Sequence, residues 1–228
     1  MLQLEKIKLS FFKDSLSVDL NKGEVLGVLG PSGCGKTSLL KSLKGFFPKE
    51  GTLILNNEII NKKQDSRIGF VHQQPIFYNH WSVKDNLIFG NLYVKHQEES
   101  RVINKLYKLA EIFGMKKILQ KPLKNLSVGE QQRLSIIRCL MMDPKVIIMD
   151  EPSSALDPEN IKILINFINK LKKADISIII ASHDINFIKN VGDKIVFLHH
   201  NGNILFNDTM ENFLQNTNPT IQDFIDIH

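Results

Sequence analysis

Eight consecutive residues, Gly30-Pro31-Ser32-Gly33-Cys34-Gly35-Lys36-Thr37, carry the pattern Gly-x-x-x-x-Gly-Lys-Thr. Each residue type answers a need of phosphate binding. The glycines let the backbone turn so that its N–H groups face an anion. Lys36 reaches the β- and γ-phosphates, Thr37 offers a hydroxyl to Mg²⁺, and Pro31, Ser32, Cys34 and Ser38 complete the cradle. A chance match in a chain of this length is on the order of one in a hundred. The context is also right, because an apolar run, Val25–Leu29, precedes the loop and a helical pattern follows it. Cys34 reads as a small residue in a crowded loop; the alternative is a thiol activated by a helix N-terminus.

Acids stand at the end of a second apolar run. Residues 146–149 lead directly into Asp150-Glu151. This is the Walker B arrangement, in which Asp150 holds Mg²⁺ and Glu151 is the general base for an attacking water. Alone, a carboxylate pair after a strand is an ordinary surface feature; beside residues 30–37 it gains a role. The base also separates reaction classes. A hydrolase must place one near the γ-phosphate, whereas a small-molecule kinase needs an acceptor pocket. A third run, 176–181, ends in Ser182-His183-Asp184. His183 there can hydrogen-bond a γ-phosphate or orient the attacking water.

These residues need a scaffold that gathers them. The three runs are nearly unbroken rather than alternating, which fits strands buried on both faces of a parallel sheet. Ligands of such sheets sit beyond the carboxyl ends of the strands. Helices fit between the runs. Residues 36–44 put Leu39, Leu40 and Leu43 on one face, with Gly45 to stop them, and 158–174 carry apolar residues at helical spacing. The N-terminal third differs: residues 2–9 partly alternate, and 51–60 read as a hairpin around Asn56-Asn57. Residues 80–141 read as a helical insert, with Ser82 and Asp85 able to cap its first helix. Residues 199–203 read as a turn before an apolar 204–206. The expected fold class is α/β, a P-loop core with a mostly parallel sheet, an N-terminal antiparallel β subdomain and an inserted helical subdomain.

Bulk properties bound the rest. The chain has 228 residues, 43% of them hydrophobic and 23% charged, with a net charge of +5. One core of fair size is expected, and wholesale disorder is not. The mild basic excess suits phosphate ligands or an anionic membrane surface and is equally common in ordinary proteins. No Lys/Arg block of five or more appears, so no nucleic-acid partner is expected. Two cysteines outside any CxxC pair make no disulfide framework, and a reducing compartment is the natural expectation. The N-terminus reads as no signal peptide, and no apolar run is long enough to span a bilayer.

At Leu126-Ser127-Val128-Gly129-Glu130-Gln131-Gln132-Arg133 the chain resembles the signature motif of the ATP-binding cassette (ABC) family. Other motifs then fall into family order. Gln73 in Gly69-Phe70-Val71-His72-Gln73 resembles the Q-loop glutamine, Ser154-Ala155-Leu156-Asp157 the D-loop, and His183 the switch histidine. Six motifs in one order, across nearly all of the chain, are far more specific than any alone. Taken singly, Gln73 would be a loop residue, His183 a strand-end histidine and residues 126–133 a capped helix. The departures are Val128 for the family's first signature glycine and Glu130 for its glutamine, where bulk or charge could weaken a contact. The absence of an Asn-Lys-x-Asp guanine motif favours ATP over GTP.

The resemblance implies a single ABC-type ATP-binding domain over 1–228. It implies catalysis by Glu151, His183 and Gln73, and Mg²⁺ held by Thr37, Gln73 and Asp150. Ser127, Gly129, Glu130 and Asp157 would meet nucleotide across a head-to-tail dimer, a homodimer or a pair of related subunits. An aromatic ahead of the loop would stack on adenine. Phe11 and Phe12 compete for that role, with Phe12 the expected ring and a core role the alternative. ATP-driven closure would move transmembrane permease subunits from the cytoplasmic face of the membrane, with importers favoured and a substrate-binding protein as a further partner. The alternatives are an exporter or lipid-releasing ATPase, a soluble ABC protein acting on DNA or ribosomes, and a nucleotide sensor without turnover.

Overall fold

The computed structural model describes residues 1–60 and 65–227. Two sheets enclose the first helix. The smaller sheet is antiparallel and holds β1 (Leu2–Lys8), β2 (Leu16–Leu20), β4 (Glu50–Leu55) and β5 (Glu58–Ile59) in the order β2-β1-β4-β5. The β4–β5 hairpin turns at Asn56 and Asn57, whose φ angles of 51° and 66° are those of a two-residue turn matched to strand twist. Asparagine tolerates this backbone at lower cost than most residues.

The larger sheet is built on β3 (Val25–Leu29). Its order is β10-β9-β3-β8-β7-β6, with β6 (Ile68–Val71), β7 (Val146–Asp150), β8 (Ser177–Ala181) and β9 (Lys194–His199) parallel to β3. Strand β10 (Asn203–Thr209) runs antiparallel on the edge. The unbroken apolar runs now have their reason. Val146 and Ile148 of β7 face the core shared with α1 (Lys36–Lys44) and the small sheet, while Ile147 and Met149 face the helices on the other side. Burial on both faces removes the alternation that a half-exposed strand would show.

Register decides where the chemistry lands. Val28 pairs with Ala181, Ala181 with Asp150, and Met149 with Val71. The carboxyl ends of β3, β8, β7 and β6 therefore lie level, and the four segments that follow them share one rim. The stretch from 83 to 141 contributes α2 (Val83–Phe89), a π-helical turn over Gly90–Val94, α3 (Glu99–Ile112) and α4 (Val128–Met141). Ser82 caps α2 by accepting a hydrogen bond from the Asp85 N–H. The π turn sits where buried Asn91 donates to the Met141 carbonyl at 2.7 Å. Lys95 and Lys105 also donate to carbonyls at the end of α4, so three side chains anchor that helix where its dipole is negative. Helices α5 (Pro158–Lys173), α6 (Ile185–Lys189), α7 (Met210–Leu214) and α8 (Pro219–Ile227) complete the chain.

Candidate nucleotide site

Strand β3 ends at Leu29 and the backbone turns at once, with φ of 146° at Gly30, 80° at Gly33 and 108° at Gly35. At Gly30 contact matters as well as conformation, since a Cβ there would collide with the Leu198 carbonyl. The loop opens α1 with Gly35 as N-cap and no side-chain cap. The first-turn amides of α1 stay free for an anion, which the helix dipole favours. Five other helices use a side chain at that place, although α3 does not: Ser82, Ser127, Asp157, Asp184 and Thr209 cap α2, α4, α5, α6 and α7.

Lys36 lies back across the loop and is only 7% exposed. Its Nζ donates to the carbonyls of Gly30 at 2.7 Å and Pro31 at 3.1 Å, and stands 3.8 Å from Glu151 Oε1. The Thr37 hydroxyl donates to Asp150 Oδ1 at 2.9 Å. Glu151 follows β7 with φ 45°, a left-handed conformation that costs a non-glycine residue about 1–2 kcal/mol. Its N–H donates to the Ala181 carbonyl at 2.9 Å and so fixes the turn against β8. This places one carboxylate oxygen toward Lys36 and the other 2.9 Å from His183 Nδ1. Gln73, two residues past β6, donates from Nε2 to Ser154 Oγ at 3.3 Å, and Ser154 Oγ donates to the Glu151 carbonyl at 3.0 Å.

A cavity of about 350 Å³ joins these groups. Ser32, Gly33, Gly35, Lys36, Thr37 and Ser38 line one side, and Gln73, Glu151 and His183 line the other. An anion cradle, a carboxylate base, an imidazole and an amide around one open space suit hydrolysis of a phosphoanhydride by activated water. Thr37, Asp150 and Gln73 offer oxygen donors, which suit Mg²⁺. Among the described residues no group of three or more His, Cys, Asp or Glu side chains could hold a metal. A metal there would be held by Thr37, Asp150 and Gln73 together with oxygens from outside the protein.

Ser127, Gly129, Glu130 and Asp157 do not line this cavity. They form a separate edge at the start of α4 and α5. Ser127 and Glu130 close a capping box: Glu130 N–H donates to Ser127 Oγ at 3.2 Å, and Ser127 N–H donates to Glu130 Oε2 at 2.9 Å. Lys121 donates to Glu130 Oε1 at 2.7 Å, and that bond, foremost, holds the Glu130 carboxyl below its usual range. Val128 stands 53% exposed on this edge.

One expectation changes. Phe12 is buried, and its ring is wedged between Gly35 and Gly202, where a Cβ on either glycine would strike it. It offers no free face to a base. Phe11 is 51% exposed and meets Phe12 edge-on, so the ring available for stacking is Phe11. Cys34 is buried, which raises its thiol pKa against the opposing charge of Lys36. It packs as a small residue and is not an activated thiol. Sequence reasoning passed over two contributors, Ser154 as the partner of Gln73 and Asn160 behind the signature. An asparagine on the first turn of a helix, three residues after its aspartate cap, was the available signal for the second.

Comparison with known proteins agrees with this geometry. The family model described as ABC transporter matches residues 13–154. A shorter match, described as AAA domain, putative AbiEii toxin, Type IV TA system, covers 121–189. The glutamate/aspartate import ATP-binding protein GltL of Escherichia coli (strain K12) is 34% identical, over 80% of this chain and 78% of its own. The arginine transport ATP-binding protein ArtM of Bacillus subtilis (strain 168) is 30% identical over 99% of both. A crystal structure of a nucleotide-free ATP-binding cassette from an ABC transporter superposes with a TM-score of 0.86 at 25% identity, covering 99% of this chain and 98% of that one. The phosphate loop, the acid pair and the switch histidine thus stand in a chain that belongs to the ABC transporter family as one of its ATP-binding, ATP-hydrolysing cassettes.

Proposed function

We propose that this chain is the ATPase subunit of an ABC importer and drives a permease made of separate chains. One observation carries the reading. The groups that cradle phosphate and activate water surround one cavity, while the signature residues 127–130 lie outside it. A second cassette, packed head to tail, would bring its own signature edge to the nucleotide and close the site. In that site Lys36 and the amides of α1 bind the phosphates, and Phe11 stacks on adenine. Glu151 takes a proton from the attacking water, while His183 orients it. Mg²⁺ held by Thr37, Asp150 and Gln73 would neutralise phosphate charge when bound.

Import is supported by the relatives, whose names specify uptake of glutamate or aspartate, sulfate or thiosulfate, and taurine. No helix of the described residues is long and apolar enough to cross a membrane. A cytoplasmic-face position would come through the permease, with a substrate-binding protein delivering cargo. Beside the Gln73 loop, Tyr78, Trp81, Phe89 and Tyr93 form a chain of ring contacts, with Tyr78 57% and Tyr93 66% exposed. This aromatic groove is where the permease would seat.

The test is phosphate release by the wild type and by Glu151→Gln. The variant should lose about 10²–10⁴-fold in kcat while still binding ATP and trapping a dimer. Wild-type-like turnover would remove Glu151 as the base. Copurification of a hydrophobic membrane protein with the chain would identify the permease, and a chain that never partitions to membranes would count against transport.

A further inference from the structure

The signature edge and the Asp157 loop are held together by one side chain. Asn160 lies in the first turn of α5, three residues after the N-cap Asp157. Its Oδ1 accepts from Arg133 Nη1 of α4 at 2.6 Å. Its Nδ2 donates to Asp157 Oδ2 at 2.8 Å, and its backbone N–H donates to Asp157 Oδ1 at 2.8 Å. The amide is suited to this place because it is neutral and two-sided, with an acceptor for the guanidinium and a donor for the carboxylate. The first turn of α4 rests on the same group. A Cβ on Gly129 would strike Asn160 Oδ1 and come within 2.6 Å of its Cγ. Gly129, Arg133 and Asp157 therefore converge on one amide.

Capping α5 does not need this side chain. The cap uses the Asn160 backbone N–H, which any residue other than proline supplies. The side-chain bonds do something else: they fix α4 against the start of α5. We propose that Asn160 is a positioning residue that sets the spacing between the signature edge and the Asp157 loop, so that both reach a second copy of the cassette in register. The proposal rests on the head-to-tail reading above, because only there do the two edges meet one partner.

The two simplest variants separate this role from packing. Asn160→Asp keeps the size and still accepts from Arg133, but it turns an acceptor toward the Asp157 carboxylate. Asn160→Ala removes both bonds and adds no repulsion. Packing alone would make the alanine variant the worse of the two, whereas a polar clamp makes the aspartate variant the worse. A negative charge in the first turn favours α5 itself, so loss in the aspartate variant would not come from melting that helix.

The experiment uses the full chain in a Glu151→Gln background. ATP-dependent dimerisation is followed by sedimentation velocity, monomer ATP affinity by calorimetry and stability by Tm. The half-saturating ATP for dimer formation should rise about tenfold in Asn160→Asp and by less in Asn160→Ala. Monomer affinity should stay at the parent value in both, and Tm within a few degrees of it. Parent-like dimerisation of both variants, the reverse ranking, or a parallel fall in monomer affinity, or in Tm beyond those few degrees, would overturn the assignment. If the Glu151→Gln parent itself fails to dimerise with ATP, the head-to-tail reading falls first, and this proposal with it.

Discussion

Two helix N-termini of this chain, those that the proposed head-to-tail dimer would bring to one nucleotide, are built in opposite ways. Helix α1 opens on Gly35 with no side-chain cap, so its amides are left for a ligand. Helix α4 opens on Ser127 and Glu130, which satisfy each other's backbone N–H groups. The first end is an incomplete structure that an anion finishes. The second is finished already and carries a carboxylate, with Lys121 bonded to it and Val128 exposed beside it. Such an end can press against a nucleotide held by another chain, but it is poorly suited to capturing one unaided. The difference separates a binding end from a closing end within one family of helix starts.

The comparison is easiest to break at α1. Lys36→Ala removes the cation that turns a ring of amides into a phosphate site. It takes no cap from α1, because Gly35 provides none. Monomer ATP affinity should fall about 10- to 100-fold, the worth of a hydrogen bond to a charged group. Titration calorimetry checks this, and unchanged affinity would mean that the loop does not hold phosphate. The same kind of cut at α4 should read out the other way round. Ser127→Ala removes a working cap worth about 1 kcal/mol, which in a chain of this size lowers Tm by roughly 2–4 °C. Monomer ATP affinity should not move. A loss of monomer affinity in Ser127→Ala would place the signature in its own subunit's site and end the contrast.

How much of this contrast could be read from the residues differs between the two ends. The loop was legible because its requirements are local: glycines for positive φ, a lysine, a hydroxyl and a strand before them. Three of the four strands that feed the rim were legible because burial on both faces leaves unbroken apolar runs. Strand β9 carries the same signal in residues 195–198, all buried. The π turn at Gly90–Val94 left none, since it depends on Asn91 meeting a carbonyl fifty residues away. The choice between Phe11 and Phe12 was likewise not local. The burial of Phe12 depends on Gly202, far along the chain, whose lack of a side chain makes room for the ring. Asn160 depends on a third kind of non-local fact, the approach of α4 to α5. Motif residues are legible where the backbone makes the demand, and their supports are hidden where packing makes it.

Glu130 gives the finest test of the closing end, because its two roles can be separated. Its carboxylate closes the capping box and also brings a negative charge to an edge that would face phosphate. Glu130→Gln keeps a side-chain acceptor for the Ser127 N–H and removes the charge. The helix should therefore keep its capping box and lose at most about 1 kcal/mol with the charge, while ATP-dependent dimerisation in the Glu151→Gln background tightens by about two- to fivefold, the range of a partly exposed charge. Lys121→Ala should act with the opposite sign, since it leaves the same carboxylate without the ammonium that screens it. The pH dependence follows from the direction of the Glu130 shift. Its carboxyl is held below the usual carboxylate range, chiefly by the Lys121 hydrogen bond, so it is charged at neutral pH and well into mild acid. The gap between wild-type Glu130 and Glu130→Gln should thus persist on acidification and close only once that lowered range is reached. A gap that closes near neutrality, or a Lys121→Ala variant that dimerises more tightly, would show that the α4 edge does not meet the phosphates.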